Sequence, residues 1–306
     1  MKQLGNTPVS NTSYTTLNHN ILYFKIFTLI NLLGIILASI IWGSIGVAGK
    51  IAYELGGDPL TLILYRTLLI IPLAIYIARG VRSFKNMFKL IVLGVFLIPA
   101  FYLTYFYTVE IIEASTASLL LYIAPILVSI ISKIVFNERL TTAKASALVL
   151  AIIGVAILNY GNINFNPIGL ILGLTSAFNY AAFIIISKYM LNKEITPEQI
   201  AIVPPAFASI TLLTISVASG LDFIHIPLSV LVISIYLAYI ATGFAYYLFN
   251  NSLKHVEASR ASIGTLAEPV SAVILSSIIL QEPLTIQKII GGGVILTAIY
   301  ITSKSR

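Results

Sequence analysis

The sequence predicts an all-α integral membrane protein in which ten transmembrane helices form two inverted five-helix repeats. Composition is the first reason: 58% of the 306 residues are hydrophobic, 9% are charged and the mean hydropathy is +0.98. Soluble domains average about 25% charged residues. Because a soluble core of this size has no use for so much apolar surface, the bilayer is the expected solvent.

Ten apolar runs of helix length are the second reason. A hydrocarbon core of roughly 30 Å requires about 20 apolar residues per helix, and short polar segments separate runs of that length. The predicted spans are 26–49, 59–80, 87–108, 114–136, 142–160, 167–190, 197–219, 227–250, 260–280 and 285–303. They leave no long polar segment for a soluble domain.

An internal repeat is the third reason, because two stretches 144 positions apart are nearly identical without a gap. The matched residues are Glu113, Ala114, Ser115, Ala117, Ser118, Pro125, Glu138, Leu140 and Thr141, which recur as Glu257, Ala258, Ser259, Ala261, Ser262, Pro269, Glu282, Leu284 and Thr285. Charge differs between the copies, since Glu110 is replaced by Lys254 and Thr116 by Arg260. Basic residues accumulate on the cytoplasmic side. The exchange therefore indicates two copies in opposite orientations, which is typical of transporters.

Each copy contains five spans, and an odd number of spans turns the second copy over. The predicted repeats are 26–160 and 161–306. Residues 1–25, rich in Asn, Thr and Ser, are predicted to be a disordered cytoplasmic tail. The chain contains no cysteine, which excludes disulfides and thiolate metal sites.

The basic residues also predict the orientation. With the N-terminus in the cytoplasm, all Lys and Arg residues except Lys50, Arg66 and Lys288 fall on the cytoplasmic side. The sequence thus predicts a multi-pass protein of the cell (plasma or inner) membrane with both termini in the cytoplasm. The net charge of +7 is dispersed over the inner loops rather than gathered in one patch. A nucleic-acid partner is therefore not expected.

Several short motifs resemble the drug/metabolite transporter superfamily in its ten-helix form, built from two EamA-type domains. They are Ser39-Ile40-Ile41-Trp42-Gly43-Ser44 with Lys50, Tyr65-Arg66, Ala124-Pro125 with Glu138-Arg139-Leu140, Ala241-Thr242-Gly243-Phe244-Ala245-Tyr246-Tyr247, and Glu268-Pro269 with Glu282-Pro283-Leu284. The resemblance covers almost everything after the tail. It implies export or uptake of small metabolites across the inner membrane by alternating access, with a binding cavity between the halves. It does not imply one substrate, because the superfamily moves amino acids, nucleotide sugars and organic cations.

Two charged residues lie clearly within predicted spans, Glu268 and Arg66. A charge at the bilayer centre costs at least about 2.5–3.5 kcal/mol, so such residues require an explanation. One interpretation is that Glu268 binds a cationic substrate group or a coupling proton and that Arg66 orients a carboxylate or phosphate. The other is that the two residues form an ion pair that fixes helix packing. Their depths, roughly 12 Å and 10 Å from opposite sides, permit either.

Four aromatic residues are candidate lining residues of the cavity: Trp42, Tyr102, Tyr180 and Tyr246. They lie away from the predicted span ends and form repeat-equivalent pairs, Trp42 with Tyr180 and Tyr102 with Tyr246. Cation–π or stacking contacts with an organic substrate would follow. The alternative is that they are interfacial anchors, the commoner role of Tyr and Trp in membranes.

Pro125 and Pro269 are repeat-equivalent prolines within spans. They are predicted to bend the two helices beside the cavity, where they act either as hinges of a rocking motion or as static kinks.

The three histidines are scattered and no nucleotide-binding P-loop is present, so neither a metal, nor a cofactor, nor ATP-driven transport is expected. The prediction is a secondary transporter of small organic metabolites, amino acids or amphipathic cations and drug-like metabolites, working in export. Its expected partners are the small-molecule substrate, the lipid bilayer and a coupling proton. The alternatives are an integral-membrane enzyme acting on a lipid-linked substrate and a non-transporting membrane subunit.

Overall fold

The computed structural model describes residues 12–112, 114–160 and 166–304, and these residues form helices joined by short loops, without a β-strand. The ten helices are α1 (Thr12–Glu54), α2 (Pro59–Leu68 and Ile71–Ala78), α3 (Phe84–Val92, Leu93–Leu97 and Ile98–Ile112), α4 (Ala114–Leu121 and Ala124–Val135), α5 (Thr142–Leu158), α6 (Pro167–Leu191), α7 (Pro197–Ala218), α8 (Leu228–Tyr236, Leu237–Phe244 and Ala245–Leu253), α9 (Ala258–Gly264 and Ala267–Ile279) and α10 (Ile286–Lys304). Within the described ranges, nine are long and apolar enough to cross a membrane, and α5 is a shorter apolar helix of 17 residues. The predicted fold class is confirmed.

Local sequence signals explain where the helices begin. The side chain of Asp58 accepts a hydrogen bond from the Thr61 amide before α2, and Pro59 occupies the first turn. The repeat-equivalent positions before α7 are Thr196 and Pro197, where the Gln199 side chain accepts a hydrogen bond from the Thr196 amide at 3.1 Å. A capping side chain satisfies an orphan amide, and proline at the first position has no amide to satisfy.

The contacts between helices follow the inverted repeat. Helix α1 packs against α8 and α9, and its repeat equivalent α6 packs against α3 and α4. The remaining equivalents pair with each other, α2 with α7 and α5 with α10. Helices α5 and α10 approach closely at Gly154 and Gly291: a Cβ atom added to Gly291 would lie 2.6 Å from the Gly154 carbonyl oxygen. Small residues of this kind allow membrane helices to meet backbone to backbone.

Two kinds of helix irregularity occur at matched positions in the two halves. Helices α3 and α8 each contain a π-helical segment, Leu93–Leu97 and Leu237–Phe244, which begin at repeat-equivalent residues. Helices α4 and α9 are each interrupted, at residues 122–123 and 265–266. Such segments place backbone carbonyls and side chains where a regular helix does not, and they are frequent at functional sites.

The alternation of helix direction gives the bundle two ends. The terminal face carries the loops 79–83, 136–141, 192–196 and 254–257 and the end of α10 at Lys304. The distal face carries the loops 55–58, 219–227 and 280–285. Of the predicted tail, residues 1–11 lie outside the described residues, and the described backbone is helical from Thr12. The predicted disorder of residues 1–25 does not hold for 12–25, which are helical. For residues 1–11 it stays a prediction.

Candidate functional site

One backbone carbonyl in the π-helical segment of α8 connects three helices. The oxygen of Ala241 accepts a hydrogen bond from Trp42 Nε1 on α1 at 3.1 Å and a longer contact from Arg66 Nη2 on α2 at 3.5 Å. Arg66 Nε donates to the hydroxyl oxygen of the neighbouring Thr242. Arg66 is only 6% exposed, so these acceptors offset part of the cost of burying its charge.

Arg66 also lies over an aromatic face, with its guanidinium carbon 5.2 Å from the centroid of the Tyr102 ring on α3. Arg66 and Glu268, both described by the structure, do not form an ion pair within 4.0 Å. They remain within longer electrostatic range of each other. The structure thus places a cation and a carboxylate in one interior region without direct contact between them.

Glu268 lies in the first turn of the second segment of α9, just after the interruption of that helix. The helix dipole favours a carboxylate at that position. Its side chain is partly exposed although it lies deep in the bundle, and the hydroxyls of Tyr105, Tyr122 and Tyr180 are within its electrostatic range. Helix α1 approaches here at Gly43, where an added Cβ would lie 2.7 Å from the Glu268 carbonyl oxygen.

The four aromatic residues predicted from the sequence lie in one cluster, and two of them, Tyr180 and Tyr246, line a small interior cavity, whereas Trp42 and Tyr102 do not. Trp42 meets Tyr246 edge-on with ring centroids 5.1 Å apart. Tyr180 stacks on Phe101 at 5.4 Å, and Phe101 also contacts Tyr102 at 5.6 Å. The cavity of about 10 Å³ is lined by Leu97, Ile98, Phe101, Tyr180, Phe183 and Tyr246. It is about the size that one water molecule requires.

Two phenol groups of this cluster are polar atoms in an apolar setting. The hydroxyls of Tyr102 and Tyr180 are buried and have no hydrogen bond of good geometry to any described residue. Each hydroxyl has only a weaker polar interaction, Tyr102 with Tyr246 and Tyr180 with Thr265. A buried polar group left unsatisfied costs about 1–3 kcal/mol, so both hydroxyls are available to a ligand.

Sequence analysis missed three residues of this region: Phe101, Phe183 and Thr242. Phe183 lies three residues after Tyr180 on α6, a spacing that puts both side chains on one helix face, so it could have been found. Phe101 directly precedes Tyr102. Thr242 belongs to a family-like motif, but nothing in that motif indicates its role, which depends on the π-helical segment that places it beside Arg66.

Pro125 and Pro269 both follow the interruptions of their helices, Pro125 in the segment that begins at Ala124 and Pro269 in the segment that begins at Ala267. Proline has no amide, so the carbonyls four residues earlier, of Leu121 and Thr265, lose their usual helical donor. The prolines thus coincide with interruptions of both helices. Their use as hinges stays a prediction.

At the terminal face, two charged side chains bond to helix ends of the second half: Glu138 reaches them from the first half, and Lys188 from within the second half. Glu138, between α4 and α5, accepts hydrogen bonds from the amides of Ala258 at 2.7 Å and Ser259 at 3.1 Å, where α9 begins. Lys188 donates to the carbonyls of Leu253 and Val256, both at 2.8 Å, where α8 ends. These charged groups satisfy orphan donors and acceptors of helix ends. We call the contacts of Glu138 and Lys188 the terminal clamp.

The repeat equivalents of the clamp residues bond differently at the distal face. Lys50 and Glu282, which correspond to Lys188 and Glu138, form an ion pair with each other at 3.2 Å, with side chains 51% and 34% exposed. In the described parts of α4 and α9, the segments near the terminal face pack together, whereas those near the distal face form no comparable contact. The two halves are therefore joined more firmly at the terminal face.

Ten spans in two inverted repeats, with a polar and aromatic region shared between both halves, define a membrane transporter. The chain belongs to the EamA-like transporter family, which residues 29–160 and 167–304 each match. The predicted resemblance is confirmed.

Relatives of known sequence agree with this assignment. An "Uncharacterized transporter" of Archaeoglobus fulgidus is 31% identical over 76% of this chain and 84% of its own length. A "Probable amino-acid metabolite efflux pump" of Escherichia coli is 27% identical over 61% of this chain and 67% of its own length. A solved structure described as "Crystal structure of protein" has a TM-score of 0.76 and covers 90% of this chain and 98% of the other. At 16% identity it shows the fold alone.

Proposed function

We propose that this protein is a secondary transporter that exports small organic metabolites, with amino acids and amphipathic cations as the leading substrates. The observation that carries the proposal is the arrangement of Glu268 and Arg66, opposite charges held in one interior region without forming an ion pair. Intramembrane charges are costly and mark substrate or ion pathways. Amine and carboxylate groups of one substrate match this pair of charges.

The aromatic cluster supports the same substrate class. Cations and apolar side chains both bind well to aromatic faces, and the hydroxyls of Tyr102 and Tyr180 offer unused donors. Among the relatives, two carry the name "Probable amino-acid metabolite efflux pump". An amino acid with an apolar side chain would place its amine at the Glu268 carboxylate, its carboxylate at the Arg66 guanidinium and its side chain against the aromatic rings.

Alternating access is the proposed mechanism, with the terminal face in the cytoplasm. In its support, the clamp residues of one face recur in the sequence of the other face and bond differently there. A rocking motion of the halves would break the contacts of Glu138 with α9 and let Glu282 take up the equivalent contacts at the distal end of α4. The energy would come from an ion gradient, with Glu268 as the site of a coupling proton.

Flux into liposomes tests the proposal. The purified protein, the Glu268→Gln variant and a Glu54→Gln control, whose carboxylate is exposed at the distal face, would be assayed with radiolabelled amino acids and amphipathic cations over a range of pH. We expect flux by the parent and the control, and a loss of at least about tenfold, equivalent to about 1.4 kcal/mol, for Glu268→Gln.

The outcomes separate the alternatives. Unchanged flux and an unchanged pH profile in Glu268→Gln would remove the assigned role of this residue. Substrate recovered in altered form would indicate an enzyme, and no movement of any compound across the panel would indicate a non-transporting subunit.

A further inference from the structure

An elongated apolar groove runs along the outer surface of the bundle between α3 and α6. Its volume is about 490 Å³, and its walls include Phe88, Val92, Phe96 and Ala100 of α3 and Ile186 and Met190 of α6. Phe96 is 68% exposed, so the groove opens away from the protein interior. From Phe88 to Ala100 it follows the helix for roughly 18 Å, close to the half-thickness of a hydrocarbon core of about 30 Å.

Two basic side chains lie beside the same tyrosine ring at the end of the groove nearest the terminal face. Lys89 on α3 and Lys193 just beyond α6 each place Nζ 5.9 Å from the ring centroid of Tyr189, which also lines the groove. Lys85 lies one helical turn before Lys89 and is exposed. Neither Lys89 nor Lys193 forms an ion pair within 4.0 Å with a described acidic residue. The groove thus ends in a positively charged site built around one aromatic ring.

We propose that the groove binds an anionic phospholipid, with one acyl chain along the apolar wall and the phosphate between Lys89 and Lys193. The bilayer is the solvent of this surface, and the groove has the length of one leaflet. Basic pockets between transmembrane helices attract anionic headgroups. The long apolar wall of the groove favours binding of an acyl chain. A free phosphate would leave the apolar wall unused.

This lipid would also contact the wall of the candidate functional site. Leu97, in the π-helical segment of α3, lines both the groove and the small interior cavity. An acyl chain in the groove therefore packs against a residue whose other side faces Phe101 and Tyr246.

Lipid binding to the full chain tests the proposal and does not depend on transport. Detergent-purified protein would be titrated with phosphatidylglycerol, phosphatidylcholine or inorganic phosphate, with bound lipid counted by native mass spectrometry and thermal unfolding followed in parallel. The test variant is Lys89→Gln with Lys193→Gln. The matched control is Lys304→Gln, because Lys304 lies 4.7 Å from the Tyr300 ring but is not part of the groove.

We expect the parent and the control to prefer phosphatidylglycerol, and the double variant to bind it about tenfold more weakly while phosphatidylcholine binding is unchanged. Ala100→Phe, which narrows the groove, should weaken both lipids. Equal binding of the two lipids by the parent would overturn the proposal, as would undiminished phosphatidylglycerol binding by the double variant. A thermal shift with inorganic phosphate equal to that with lipid would show an anion site instead.

Discussion

At the scale of single residues, the candidate site depends on close approach between backbones as much as on charge. Trp42 and Arg66 reach the same carbonyl of Ala241 because α1, α2 and α8 converge there. At the next residue of α1 after Trp42, Gly43, the helix meets α9 beside Glu268. The position of the carboxylate relative to the guanidinium is therefore set by a glycine that makes no bond itself.

Gly43→Ala is expected to destabilise the protein. The added Cβ would clash with Ser271 Oγ and lie 2.8 Å from the amide nitrogen of Ala272, and backbone atoms in a packed helix cannot move aside at little cost. Overpacking of this kind costs about 1–3 kcal/mol. Unfolding in detergent, by heat or by denaturant, would measure the change.

Gly46→Ala is the matched control, because it lies on the same helix and nothing lies within 4 Å of its added Cβ. There the better helix propensity of alanine should leave stability unchanged or raise it by about 0.5–1 kcal/mol. If both variants lost the same stability, the close approach of α1 to α9 would not be the cause.

At the scale of helices, the sequence predicted what the bilayer dictates. Each membrane helix must be apolar over about 20 residues, so ten spans could be found without knowing their contacts. The charged and aromatic site residues could be recognised from the sequence because polar atoms are costly within a membrane and therefore rare there. The π-helical segments could not be predicted, because nothing in residues 93–97 or 237–244 distinguishes them from a regular helix. The contact of Thr242 with Arg66 depends on the second segment, so it could not be predicted either.

The loop that joins α9 to α10 contains a carboxylate whose titration should appear in stability. Burial raises the pKa of Glu282, but hydrogen bonds from Lys50 and Ser276 and the charges of Lys50 and Lys288 lower it more, so its pKa lies below the ordinary value. A pKa depressed in the folded state stabilises the fold above the unfolded-state pKa of about 4.3. This stabilisation is lost as pH falls from there through the folded-state pKa.

We therefore expect the parent to lose more stability than Glu282→Gln when the pH is lowered from 6 to about 3.5, measured by thermal unfolding at low ionic strength. High salt should reduce the difference, because the ion pair with Lys50 is exposed. If the parent and Glu282→Gln lost the same stability at low and at high ionic strength, the contacts of Glu282 would not contribute to folding stability.

At the scale of the whole molecule, the two halves offer one reporter position each. Ser118 on α4 and Ser262 on α9 are repeat equivalents, yet Ser118 is partly exposed and Ser262 is fully buried. They lie on opposite sides of the candidate site, in the distal segment of α4 and in the segment of α9 that Glu138 holds. The chain has no cysteine, so Ser118→Cys or Ser262→Cys would carry the only thiol.

Glu138→Gln should shift accessibility in opposite directions at the two reporters. The amide side chain is a weaker acceptor for the amides of Ala258 and Ser259, so the terminal clamp opens more often. With a membrane-impermeant maleimide, labelling of Ser262→Cys from the terminal side should rise several-fold. Labelling of Ser118→Cys from the distal side should fall, because alternating access closes one path when it opens the other. A rise at both reporters would indicate general loosening of the bundle, and no change at either would remove the clamp from the mechanism.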